Sequence, residues 1–259
     1  MNMKLSLTTL ALCMASVGFT SAPTLAEPTE ITIHVLSKGA KFIGTSMGGV
    51  AVQIVDVESG DVLAEGLTNG STGDTEQIMR TAHTRNGTLS TEAAAKFVAM
   101  LDIDAPRLVR LEARGPINPD HAAATVTATQ WIVPGKHMSS GDGWMIEMPG
   151  LAVVALSPLT DTNVSPNAEI TLNAKVTMMC GCPLTPGGLW DADEFQVVAI
   201  IMREGEKVDQ LTLKYAGEAS HFTTTYRPSQ AGTYEAIVFA HQPSNGNTGL
   251  DRTNFFISE

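Results

Sequence analysis

Cysteine is almost missing from this chain, with three in 259 residues, and Cys13 lies far from the other two, Cys180 and Cys182. Two neighbouring cysteines would need two more ligands to make a structural zinc site. His221 and His241, twenty residues apart, do not supply the short histidine spacing such sites use. Cationic stretches are also missing: 16 Lys and Arg stand against 27 Asp and Glu, a formal net charge of −11 with no basic stripe. That balance argues against nucleic acid and anionic membrane as partners. Beyond residue 26 no run is long and apolar enough for a membrane helix, so no membrane insertion is expected. The chain is read as having no G-x-S-x-G elbow, no H-E-x-x-H pair, no phosphate loop and no dinucleotide glycine pattern behind a strand, and the histidines are scattered without metal-ligand spacing. The chain is therefore read as non-enzymatic.

What is present begins with residues 1–26, in which Lys4 precedes an apolar run from Leu5 to Phe19 and small residues end at Ala26. This is the pattern of a cleaved signal peptide, and it implies the periplasm or another secreted location. Cleavage would remove Lys4 and no acid, taking the charge from −11 to −12. Leu12 before Cys13 does not suit a lipoprotein cleavage site.

The remainder is dominated by period-two stretches rich in Val, Ile and Thr, such as "ITIHVL" (31–36), "KFVAMLDI" (96–103), "EFQVVAIIMRE" (194–204) and "GTYEAIVFAH" (232–241). Such alternation predicts strands, so the fold class is all-β. Glu58-Ser59-Gly60-Asp61 between "VAVQIVDV" and "DVLAEGL" predicts a hairpin. Residues 69–96 read as a long polar loop with one helical turn near Thr75 to Arg80. "SPLTDTNVSPN" (157–167) has the prolines and turn formers of a linker, which divides the chain into sandwiches at 27–156 and 168–259.

The closing stretch "AGTYEAIVFAHQPSNGNTGLDRTNFFI" (231–257) resembles the last hairpin of bacterial immunoglobulin-like domains. "VAVQIVDVESGDVLAEGLTNGSTGD" (50–74) is similar to transthyretin-like or carboxypeptidase-regulatory-like sandwiches. Both resemblances imply binding, spacer or assembly modules in place of catalysts, and neither carries functional residues over.

The chemistry concentrates in "MMCGCP" (178–183). Cys180 and Cys182 are the only pair a processed chain would keep, and exported cysteines are oxidised or metal-bound. On a fully extended strand, residues two apart are about 6.5–7 Å apart, at the limit for a disulfide, so a bridge requires a bend at Gly181. Reduced, the pair joins the thioethers of Met178 and Met179 in a soft ligand set suited to Cu(I). Alternation puts Met178, Cys180 and Cys182 on one face and Met179 on the other. In a Greek-key sandwich the strands ending at Cys180 and at His241 finish at one pole, which nominates His241 as a further ligand. The loop 182–195, with Trp190, Asp191 and Asp193, would cover that pole. Three roles stay open: a Cu(I) site at Cys180, Cys182, Met178 and His241; a structural disulfide in a module that binds another exported protein; and thiol-disulfide exchange. A second methionine cluster, "HMSSGDGWMIEM" (137–148), reads as core filling, with Met145 and Met148 on opposite faces.

Overall fold

The computed structural model describes residues 26–258; the expected leader up to Leu25, with Cys13, lies outside the described residues. In chain order the first half holds β1 (Glu27–Ser37), β2 (Ala51–Asp56), β3 (Val62–Leu67), β4 (Phe97–Ile103), β5 (Arg107–Gly115), β6 (Ala124–Ile132) and β7 (Trp144–Met148). The second half holds β8 (Leu151–Ser157), β9 (Thr162–Val164), β10 (Ile170–Met178), β11 (Gln196–Arg203) and β12 (Glu206–Thr212). It continues through β13 (Lys214–Tyr215), β14 (His221–Tyr226), β15 (Gly232–Gln242) and β16 (Asn247–Ile257). The fold is all-β.

In the first sandwich, β4 and β7 flank β1, antiparallel and parallel respectively, and this sheet faces a second of order β3-β2-β5-β6. Period two explains how the layers close. Ala99, Leu101 and Ile103 of β4 are buried while Val98, Met100 and Asp102 between them are exposed. Ile31, Ile33 and Val35 of β1 join them in the core with Val52, Ile54, Val109 and Leu111 from the facing sheet. Each such aliphatic side chain contributes about 1.5–3 kcal/mol on burial. The β2–β3 hairpin turns where expected, with Gly60 at φ 79° and the Asp56 carboxylate accepting the N–H groups of Glu58 and Ser59. The predicted helical turn is a π-type turn at Glu76–Arg80.

The second sandwich sets β13-β14-β10-β8 against β12-β11-β15-β16-β9, with β9 parallel to β16. This is an immunoglobulin-like arrangement: the chain crosses repeatedly between two mainly antiparallel sheets, with β11–β12, β13–β14 and β15–β16 pairing within one sheet. Tyr234, Ala236, Val238 and Ala240 of β15 pack inward against Leu172, Ala174, Val176 and Met178 of β10.

Two expectations need correction. Strand β8, assigned by sequence to the first sandwich, pairs with β10 of the second. The stretch 157–167, expected as a linker, contains β9, hydrogen-bonded along β16. The chain passes from one pair of sheets to the other at Pro149-Gly150, between β7 and β8. The physical reason is size and pattern: a three-residue strand has no period to read, and the continuous apolar run of β8 reveals a strand without naming its sheet.

Candidate functional site

Strand β10 ends at Met178, and the chain reverses at once. Gly181 N–H donates to the Met178 carbonyl at 2.8 Å, and Met178 N–H donates to the Cys182 carbonyl at 3.1 Å. Gly181 sits at φ 80°, a conformation costly for any residue with a Cβ. The reversal brings the Cα atoms of Cys180 and Cys182 to 5.4 Å, inside the extended-chain spacing, and the two sulfurs are bonded as a disulfide. The bend required at Gly181 is thus present.

Both cysteines are buried among Met178, Leu184 and Trp190 in the core of the second sandwich, whereas Met179 is buried in the core of the first. Met178, Cys180 and Cys182 share one core and Met179 enters the other, the division expected, although beyond Met178 it is the turn and not a continued strand that produces it. The loop from 182 to 195 covers the cysteines as expected, with Trp190 buried and its indole N–H donating to the Gly39 carbonyl at 3.0 Å. Asp191 accepts from the Asp193 N–H, a local cap within the loop.

His241 does not join the cysteines, and this expectation is corrected. It lies on β15 one residue beyond Ala240, on the face opposite the buried row, with Nδ1 3.4 Å from the Gln196 side-chain oxygen. Pole and face are independent on a strand: reaching the right end says nothing about which side a residue takes. Among the described residues, no group of three or more His, Cys, Asp or Glu is arranged to hold a metal ion.

Sequence reasoning missed Met47. Its Sδ lies against Gly181, only 2.7 Å from where a Cβ would be. Met47 and Gly181 border a cleft of about 440 Å³ together with Ser46, Asn118, Lys175 and Thr177. No sequence signal connects residue 47 to residue 181. The reading of the chain as free of catalytic motifs also overlooks Gly44-Thr45-Ser46-Met47-Gly48, which has the G-x-S-x-G spacing. A nucleophile elbow needs a sharp strand-to-helix turn and a histidine on the serine. Here Ser46 lies in a one-turn 3-10 helix between β1 and β2, and no histidine is bonded to it among the described residues.

In the second methionine cluster, Met148 is fully buried and Met145 is 37% exposed, the opposite faces expected. Asp142, within the glycine-rich part, accepts from the N–H groups of Leu89 and Ser90 at 2.7–3.0 Å and so fastens the long 69–96 segment. Beside it His34 is 2% exposed, with Nδ1 3.0 Å from the Asp142 carbonyl and Nε2 without a partner. Burial holds the His34 pKa below its ordinary value, against an opposing pull from the Asp142 carbonyl.

No protein-family model matches the chain, and no curated protein matches it. Among solved structures it is similar to an engineered protein at 19% identity and TM-score 0.33, over 49% of this chain. The chain spans about a quarter of that protein's length, 24%. It is similar to the fibronectin(III)-like modules of Clostridium thermocellum CbhA at 10% identity and TM-score 0.30, over 92% of each chain. It is also similar to titin domain M7 at 17% identity and TM-score 0.24, over 41% of this chain and 94% of that one. At these scores the likenesses add nothing to the architecture, which rests on the sheet topology itself.

Proposed function

We propose that the protein is an exported, non-enzymatic module, working in the periplasm or outside the cell, that binds another exported protein. In this reading Cys180–Cys182 is a structural disulfide. The observation that carries it is the buried turn itself: Met178 is anchored in one core, Met179 in the other, and the bonded cysteines fix the reversal between them. An oxidised pair belongs to an oxidising compartment, as the leader sequence implies. The resemblance of the first half to transthyretin-like sandwiches, implying a binding or assembly module, is supported by β1 lying between β4 and a parallel β7 opposite β3-β2-β5-β6.

Thiol counting on processed protein tests the disulfide. No free thiol after denaturation without reductant, and no copper retained after mild reduction, is the expected result. Two free thiols under native conditions, blocked by Cu(I) in the wild type, overturn it when copper is absent from Cys180→Ala/Cys182→Ala. That outcome favours the second reading, a Cu(I) site formed on reduction by Cys180, Cys182 and Met178. One observation speaks for it: Met178 is buried in the same core as the two cysteines, and the Met47 thioether lies against Gly181 between them.

A further inference from the structure

Strand β10 has a second face. Lys175 and Thr177 alternate with Ala174, Val176 and Met178, so the two point away from the core that those residues fill. Each stands opposite a residue of β8, Lys175 facing Val154 and Thr177 facing Ala152, and the four side chains make a floor on the outside of the second sandwich. Two segments of the first sandwich rise from it, Ser46-Met47 of the β1–β2 connection and Asn118-Pro119 of the β5–β6 connection. The walls are tied together: Asn118 N–H donates to the Met47 carbonyl at 3.0 Å. Gly48, at φ 74°, allows that approach, since a Cβ there would meet the Ile117 side chain at 3.0 Å. The last glycine of the G-x-S-x-G run thus shapes a wall of the cleft of about 440 Å³ between floor and walls, a volume within the roughly 300–1,000 Å³ of small-molecule sites.

Charge decides what fits. Among the described residues Lys175 is the one charged group bordering the cleft, and it pairs with no carboxylate. Its neighbours on the same face, Thr177, Val154 and His221, include no acid, and Glu218, 3.7 Å from His221 Nδ1, does not pair with it. Lys175, Ser46 and Asn118 are all exposed, so a ligand in the cleft reaches them. Hydroxyl and amide groups donate or accept as the ligand requires, and the ammonium only donates, so Lys175 alone sets the sign. In a chain of net charge −11, a cleft bordered by one cation and no acid is a place for a negative group. The rest of the lining includes Met47, Pro119, Ala152 and Val154, which offer an apolar body contact and no second charge.

We propose that the cleft binds a monocarboxylate with a small apolar body, the carboxylate pairing with Lys175 and accepting from Ser46 or Asn118 while the body lies on Ala152, Val154 and Met47. A phosphate or other dianion would bring a charge that the lining does not offset. Two sources share the chemistry, a free small acid and the C-terminal carboxylate of a peptide. The cleft uses neither cysteine sulfur, and its occupancy does not depend on the protein-binding reading.

Titration of the full chain by calorimetry and amide NMR tests it with three probes: N-acetyl-leucine, its neutral analogue N-acetyl-leucinamide, and the tripeptide N-acetyl-dialanyl-leucine. Saturable binding of the acid at one site is expected, with shifts at Ser46, Asn118, Thr177 and Gly181. The amide should bind at least about tenfold more weakly, the scale of one hydrogen bond to a charged group. Lys175→Met keeps the aliphatic stem and deletes the charge, and should weaken the acid by a similar factor, whereas Lys214→Met on β13 should not. Tighter binding of the tripeptide than of N-acetyl-leucine identifies a chain end as the occupant, and equal or weaker binding identifies a free acid; both sustain the proposal. Should Lys175→Met fail to fold, the comparison of acid with amide on the wild type decides. No saturable binding of either acid, equal affinity for acid and amide, unchanged affinity in Lys175→Met, or full displacement by sodium chloride at matched ionic strength overturns it.

Discussion

His34 carries its stability effect in its proton. Burial lowers its pKa from the ordinary 6.5, with the Asp142 carbonyl and carboxylate pulling the other way and Lys96 adding to the lowering. The unfolded chain therefore binds the proton first as pH falls. Stability is at its full value above pH 6.5 and is lost progressively below it, down through the folded-state pKa. Thermal midpoints of wild type and His34→Asn measured from pH 8 to 5 should diverge below 6.5, the wild type losing more; parallel curves would remove His34 as the cause. At Gly181 the effect is conformational. Alanine at φ 80° costs about 1–2 kcal/mol in backbone energy alone, and its Cβ would also push Met47 aside. Gly181→Ala should lower the urea midpoint accordingly, whereas a neutral result would mean that the turn tolerates another conformation.

At the scale of elements, the alternation that makes β4, β11 and β15 strands was legible because each strand buries at least one clean face. Faces were harder to read than strands. On β15 the outward row contains Ile237 and Phe239 as well as His241, so apolar residues occur on both sides and parity alone does not tell which side is core. The cysteine bend was legible only as the condition for a bridge, since a disulfide between residues two apart does not form along an extended strand. Met47 and the cleft it borders were not, since both depend on contacts far apart in sequence. The 69–96 segment shows why its lack of period did not mean lack of order: Ile78, Ala94 and Ala95 pack with Phe42, and the Asp142 carboxylate holds Leu89 and Ser90. Hydrogen bonds to a charged acceptor are worth about 1.5–3 kcal/mol each. Amide exchange at Leu89 and Ser90 should therefore accelerate roughly ten- to a hundredfold in Asp142→Ala, with β5 amides unchanged. Equal acceleration in β5 would indicate global destabilisation and defeat the assignment of Asp142 as a local fastener.

Across the whole molecule, the two sandwiches exchange parts. Ala40 of the β1–β2 connection belongs to the second core, Met179 to the first, and the same connection receives the Trp190 indole at Gly39. Asn247 is the most connected of these ties. It is 1% exposed, its side-chain oxygen accepts from the Gly150 N–H at 3.0 Å, and its amide donates to the Lys38 carbonyl at 2.9 Å. Lys38 reciprocates through Nζ to the Asn245 carbonyl at 2.8 Å. Asn247 thus bonds the crossing point of the chain and the first sandwich's turn from a single side chain. Alanine would leave a backbone donor and a backbone acceptor unpaired, costing roughly 2–4 kcal/mol. In a protein of this size that is a fall of about 5–15 °C in Tm. Because the loss falls between the sandwiches and not within either core, calorimetry should convert one cooperative transition in the wild type into two in Asn247→Ala. A single transition at an unchanged Tm in the variant would mean that the shared residues Ala40 and Met179 couple the halves without it.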